Sequence, residues 1–121
     1  MSNKSIGTAF EYEFCDMLAE HGYWAHRITP DIRGAQPFDI IAAKNGVPLA
    51  VDCKTCVANS FSMNRLEDNQ IMAFELWLKC GNGEPFVAVK HKEKVYLIGY
   101  LELKKKGSVS LKERSDEWSL L

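Results

Sequence analysis

Apolar residues recur at three- and four-residue spacing from residue 6 to about 21. Ile6, Phe10, Phe14, Met17 and Leu18 fall on one stripe, which predicts an amphipathic helix. Gly22 stands where a helix C-cap glycine belongs. The pattern then changes period. Tyr23 to Ile28, with aromatic and β-branched content, predicts a short strand. Thr29 to Pro37 holds two prolines and a glycine and reads as a loop. Phe38 to Lys44 and Val47 to Lys54 are two further strands. Asn45-Gly46 between them is the strongest short-range hairpin signal, a type I′ turn, and Pro48 lies close to it, where a missing donor matters least. Helical spacing returns from about Arg65 to Cys80, through Leu66, Ala73, Phe74 and Trp77, and Gly81-Asn82-Gly83 ends it. Pro85 to His91 and Val95 to Leu101 predict two strands joined at Lys92-Glu93-Lys94. Lys104 to Lys106 read as a solvated run, and Trp118 and Leu120 as docking on the core. The expected order is α-β-β-β-α-β-β, an α/β chain whose mixed central sheet is flanked by helices.

Length and composition narrow the setting. At 121 residues with 46% hydrophobic content, the chain carries apolar material for one core, a single domain over 1–121. It has no apolar run of about 18 residues, so no membrane span is expected. Its first residues lack a signal-peptide segment, which implies an intracellular, cytoplasmic protein. Cys53 and Cys56 invite a zinc or thioredoxin-like reading. On an extended segment they point to opposite faces, and His21, His26 and His91 are scattered, so buried reduced thiols are the better account. The formal net charge of −1 does not by itself suggest a nucleic-acid partner.

The two-residue turn carries the chemistry. If Lys44 faces Val47, counting outward makes Asp39 face Asp52 across the hairpin, as a close non-hydrogen-bonded pair. Their Cβ atoms would be about 4.5–5.5 Å apart. Lys54, two residues beyond Asp52, shares that face. Two facing carboxylates among Ile40, Ile41, Ala50 and Val51 repel one another and are partly desolvated. A hard divalent cation removes the conflict, since Mg²⁺ is held by one or two carboxylates plus water and phosphate oxygens. Lys54 then contacts a scissile phosphate or orients the attacking water. Each residue also has a plainer reading. An aspartate at a strand end is often solvated, Asp-x-Lys is often a surface ion pair, and Thr8-x-x-Glu11 fits a capping box. Glu13 competes with Glu11, and Gln70 fits an ordinary helix start.

The stretch Phe38-Asp39-Ile40-Ile41-Ala42-Ala43-Lys44-Asn45-Gly46-Val47-Pro48-Leu49-Ala50-Val51-Asp52-Cys53-Lys54 resembles the PD-(D/E)xK nuclease motif. Within that superfamily it is most similar to the archaeal Hjc-type and the bacterial or phage RecU-type Holliday junction resolvases. Gly7-Thr8-Ala9-Phe10-Glu11 resembles their helix motif, and Ser60 to Gln70 the segment that ends in a site-lining glutamine. There are departures. The proline is displaced by one position (Pro37-Phe38-Asp39), the second acid is Asp52 rather than the commoner glutamate, and the connection from Ile28 to Phe38 is too short for a RecU-type stalk. The resemblance implies a restriction-endonuclease-like core and a metal-dependent endonuclease acting on four-way DNA junctions, in recombination or phage DNA processing. It implies that Asp39, Asp52 and the Cys53 backbone carbonyl bind Mg²⁺ or Mn²⁺. Lys54 would assist the attacking water, Glu11 would complete the outer coordination, and Gln70 would line the site. It makes Arg27, Arg33, Lys44 and Arg65 candidates for phosphate contacts, and a twofold homodimer the expected assembly. A restriction- or repair-type nuclease of the same fold and a non-catalytic nucleic-acid-binding module are the alternatives.

Overall fold

The computed structural model describes residues 3–29 and 36–112. Arg33, Trp118 and Leu120 lie outside the described residues. The elements are α1 (Asn3–Glu20), β1 (Trp24–Arg27), β2 (Ile40–Lys44), β3 (Val47–Thr55) and β4 (Ser60–Ser62). A 3-10 turn (Met63–Arg65) leads into α2 (Asp68–Lys79), followed by β5 (Phe86–His91), β6 (Lys94–Gly99), α3 (Tyr100–Lys106) and β7 (Ser108–Ser110). The main sheet runs β1-β2-β3-β5-β6, and β4 pairs with β7 in a separate ribbon. β3 and β5 are parallel, while the other neighbours in the main sheet are antiparallel.

The expected α/β architecture stands, with three elements the hydrophobic pattern did not separate. β4 and β7 are three-residue strands, too short to show a period. α3 takes up Tyr100 and Leu101, read above as the end of a strand, and makes Lys104 to Lys106 its last turn. That turn suits the negative end of the helix dipole. Lys104 donates to Glu75 (2.8 Å) and Lys106 to Glu102 (3.0 Å), so the run is more than solvated surface.

Local rules account for the ends of the elements. Tyr23 N–H donates to the Leu18 carbonyl and Gly22 N–H to that of Ala19, both at 3.0 Å, with Gly22 at φ +87°. That pair of bonds is the Schellman stop expected of the glycine. Asn45 and Gly46 sit at φ +53° and +78°, the type I′ turn, and the hairpin register runs from Lys44↔Val47 to Ile40↔Val51 as counted from it. Lys92 and Glu93 form a second two-residue turn, so Lys94 already pairs with His91.

The sheet is buried on both faces. Phe10, Phe14 and Leu18 of α1 pack on Ile40, Leu49, Val51, Cys53 and Ala88. On the other face, Phe74 of α2, Tyr100 and Leu103 of α3, and Phe61 and Val109 of the ribbon cover Ala50, Val87, Val89 and Ile98. Alternate residues of β3 and β5 thus enter opposite cores, as the pleat requires. Cys53 and Cys56 fall into different cores, and both are free thiols.

Candidate active site

Asp52 lies on the central strand β3, between β2 and β5, and its side chain has no access to water. Its Oδ1 accepts from Gln70 Nε2 (3.2 Å), while Oδ2 is buried and makes no hydrogen bond among the described residues. The nearest cation, Lys54 Nζ, lies 3.5 Å from Oδ2. Burial first, and then the charge of Asp39, push the Asp52 carboxyl well above the usual carboxylate range, with Lys54 pulling the other way. A buried carboxylate with one unsatisfied oxygen beside a second acid is a costly arrangement for a fold to keep.

Asp39 is held differently from the expectation. The β2–β3 ladder keeps its register only as far as Ile40↔Val51. One residue further, Asp39 N–H donates to the Val51 carbonyl (3.1 Å), a step out of that register. The Cys53 N–H turns to the Asp39 carboxylate, donating to Oδ2 at 2.8 Å. The two aspartates therefore do not form a regular cross-strand pair, although their side chains still converge. The Asp39 main chain bridges the sheet, since its carbonyl also accepts from Ile28 N–H (2.8 Å). Phe38 fixes the neighbouring position by stacking on Phe74 and meeting Trp77 edge-on.

Gln36, absent from the residues singled out in the sequence, completes the aspartate's surroundings: its Nε2 donates to Asp39 Oδ1 (2.6 Å). An amide three residues before an acid is common in loops, so the sequence carried no distinguishing signal. Gln70 does two things at once. Its Oε1 accepts from Glu67 N–H (2.9 Å), capping α2, while its Nε2 faces Asp52. The cap fixes which end of the amide points inward.

Glu11 is not a capping acid, because α1 begins five residues before Thr8. Its carboxylate accepts from Arg27 Nε (2.8 Å), and the Arg27 guanidinium lies over the Tyr12 ring. Burial and the Asp39 charge raise the Glu11 carboxyl above its usual range despite that partner. Glu11, expected to complete the outer coordination of a metal, lies near enough to feel the Asp39 charge, while among the described residues no three acidic, histidine or cysteine side chains form a group that could hold an ion. Glu13 is tied to Lys90 (2.7 Å).

An open cleft of about 1040 Å³ lies between the start of α1 and the β3–β4 connection. Glu11, Arg27, Gln36, Lys54 and Arg65 line it, and the buried Asp39 and Asp52 touch two of these lining residues, Gln36 and Lys54. Arg65 is held by a bond to the Thr55 carbonyl (2.9 Å) and stacks over Phe61. Of the candidate phosphate contacts, Arg27 and Arg65 reach the cleft and Lys44 does not. It sits at the turn end of the hairpin, where Nζ donates to the His21 carbonyl (2.7 Å) and meets the exposed end of α1. The Cys53 thiol is raised well above its usual range by burial and by the neighbouring acids, which keeps it protonated and unsuited to binding zinc.

A mixed five-stranded sheet with helices on both faces, and two acids and a lysine meeting on its central strand, defines a nuclease-like α/β protein of the PD-(D/E)xK type. The chain belongs to the archaeal Holliday junction resolvase (Hjc) family, whose model matches residues 2–119. It is 26% identical over 92 residues to the crossover junction endodeoxyribonuclease Hjc of Methanocaldococcus jannaschii, covering 76% of this chain and 64% of that protein. It is 32% identical over 94 residues to the crossover junction endodeoxyribonuclease Hje of Sulfolobus acidocaldarius, covering 75% and 66%. The chain thus spans just under two thirds of the length of these relatives. Archaeoglobus fulgidus Hjc, a Holliday junction resolvase, shares the fold at a TM-score of 0.66 and 20% identity, with 84% of this chain and 85% of that one covered.

Proposed function

We propose that this chain is a Mg²⁺- or Mn²⁺-dependent endonuclease that cuts four-way DNA junctions. The observation that carries the reading is the buried, hydrogen-bond-free Oδ2 of Asp52 next to a second carboxylate. The donor set fits a hard divalent cation, which takes one or two carboxylates and keeps several waters. Asp39, Asp52 and the Cys53 backbone carbonyl would hold it. The Cys53 side chain is packed under α1, so only its main chain is available. When bound, such an ion acts as a Lewis acid that activates water and neutralises charge on the phosphate.

The remaining work falls to side chains already in place. Lys54, beside Asp52 and lining the cleft, orients the attacking water and meets the scissile phosphate. Gln70 keeps the Asp52 carboxyl turned toward Asp39. Arg65, braced by Thr55, offers its remaining N–H groups to the DNA backbone. Glu11 neutralises Arg27, which keeps the entrance from being strongly cationic. The overall charge of −1 is compatible with a DNA partner because Lys54 and Arg65 line the cleft in addition to the paired Glu11 and Arg27.

Synthetic four-way junctions, linear duplex and flaps incubated with Mg²⁺ test the reading. Cleavage of junctions alone is expected. Equal cutting of duplex would favour a restriction- or repair-type target, and junction binding with no cleavage in any metal would favour a non-catalytic module.

Symmetric cutting of two strands requires two sites, so we also propose a twofold homodimer. Met72 and Leu76, one turn apart on α2, are 71% and 61% exposed, with Ile71 and Leu78 beside them. Two large apolar side chains exposed on one helix face support an interface there. Leu76→Asp is expected to give a monomer by analytical ultracentrifugation that keeps its fold and loses paired incision. A variant that sediments like the parent moves the interface elsewhere.

A further inference from the structure

Gln36 lies in the connection between β1 and β2, a stretch that hydrophobic pattern and turn chemistry leave featureless. Its amide donates to Asp39 Oδ1 (2.6 Å), and its backbone carbonyl accepts from the Asn69 side-chain amide (3.2 Å). Both Asp39 oxygens therefore have a donor, Gln36 on Oδ1 and the Cys53 N–H on Oδ2 (2.8 Å). Two donors on opposite oxygens fix the plane of the carboxyl group as well as its place. The next residue along α2, Gln70, holds Asp52 Oδ1 (3.2 Å). Consecutive residues in the first turn of α2 thus brace the two aspartates, Gln70 directly and Asn69 through Gln36. That turn is rigid, because Glu67 and Gln70 cap each other's backbone and Phe74 is buried one turn on.

We propose that Gln36 is a positioning residue for Asp39, one that sets the carboxylate geometry offered to the divalent ion and is itself braced on α2 by Asn69. The inference rests on the metal-dependent reading above. Each carboxylate oxygen accepts more than one bond, so an oxygen engaged by an amide N–H still has a lone pair for a cation. Partners that orient ligands in this way contribute about 10- to 100-fold to metal affinity. The opposite role is equally concrete: if the Gln36 amide stands where the ion binds, it competes with the ion, and its removal tightens binding.

Gln36→Leu keeps the volume and removes the donor; Asn69→Ala keeps the donor and removes its brace. Mn²⁺ titration of the DNA-free protein, followed by electron paramagnetic resonance, reads the role without relying on activity. Gln36→Leu is expected to weaken Mn²⁺ binding about 10- to 100-fold, and Asn69→Ala by a smaller factor in the same direction. Junction affinity in EDTA should stay near the parent's, the melting temperature of Gln36→Leu should fall by a few degrees because a buried acceptor loses its donor, and kcat should fall at fixed Mg²⁺ and recover as Mg²⁺ is raised, with KM for junction unchanged. Unchanged or tighter Mn²⁺ binding in Gln36→Leu overturns the inference while leaving the metal reading intact. If Gln36→Leu fails to fold, Asn69→Ala decides alone, and parental Mn²⁺ affinity there overturns it. Should the parent protein take up no Mn²⁺ while Asp52→Asn behaves identically, the metal reading fails and takes this inference with it.

Discussion

Asp52→Asn is expected to lose junction cleavage by about a thousandfold or more, and to melt at a higher temperature than the parent when no metal is present. The loss follows from removing one of two carboxylates that would hold the ion, whose Lewis acidity is worth several kcal/mol of barrier. The gain in stability follows from burial. Asp52 is fully buried, and the folded protein raises its carboxyl well above the usual range through desolvation and the Asp39 charge. An acid whose folded pKa exceeds its unfolded value binds more protons in the folded state between the two. Stability therefore falls as pH rises across that window, and the full penalty is present above it. Asparagine removes the titration. Its advantage should be largest at neutral and alkaline pH and shrink as the pH approaches the ordinary carboxylate value of about 4. A gain of about 5 °C or more corresponds to roughly 1 kcal/mol in a domain of this size. Thermal melts in EDTA across that range check both sign and slope, and a variant that melts lower at neutral pH removes the strained pair from the account. Asp39→Asn should show no comparable gain, because both oxygens of Asp39 already accept hydrogen bonds.

The second large effect is expected at Lys54. Its ammonium is mostly buried, 3.5 Å from the unsatisfied Asp52 oxygen, and it lines the cleft. Lys54→Ala is expected to lower kcat by about 10²- to 10⁴-fold, the range for a positioned proton-handling group. Junction affinity should fall far less than kcat, and the salt dependence of binding should lose about one unit of slope, the signature of the one phosphate contact that Lys54 makes. A variant that binds much more weakly and cleaves normally once saturated would make Lys54 a docking residue only. Removing the cation also takes the opposing Lys54 charge away from Asp52, so the metal-free protein should melt lower. Asp52→Asn and Lys54→Ala thus share a loss of activity and differ in the sign of their stability change, which separates loss of chemistry from loss of fold.

Much of this arrangement was legible in the amino acids. Asn45-Gly46 permits only one tight hairpin, and that turn fixed which face of β3 Asp52 and Lys54 occupy. Gly22 stopped α1 where its left-handed φ is required. The helical stripes of Phe10, Phe14 and Leu18 and of Phe74 marked the two cores, because burial on one face imposes a period that residues must follow.

What depended on distant contacts was invisible to that logic. The ladder breaks at Asp39, where its side chain takes the Cys53 N–H, a contact possible only once both strands lie in the sheet. Gln36 joins the site through a loop, Lys44 leaves it for the end of α1, and Glu11 takes Arg27 as its partner. The sequence by itself determined the hairpin, the helices and the acids, since these follow from local backbone preference and periodic burial. Only the tertiary structure decided the partner of each polar group, because a side-chain hydrogen bond forms wherever donors and acceptors from remote segments meet, and no spacing along the chain encodes that meeting.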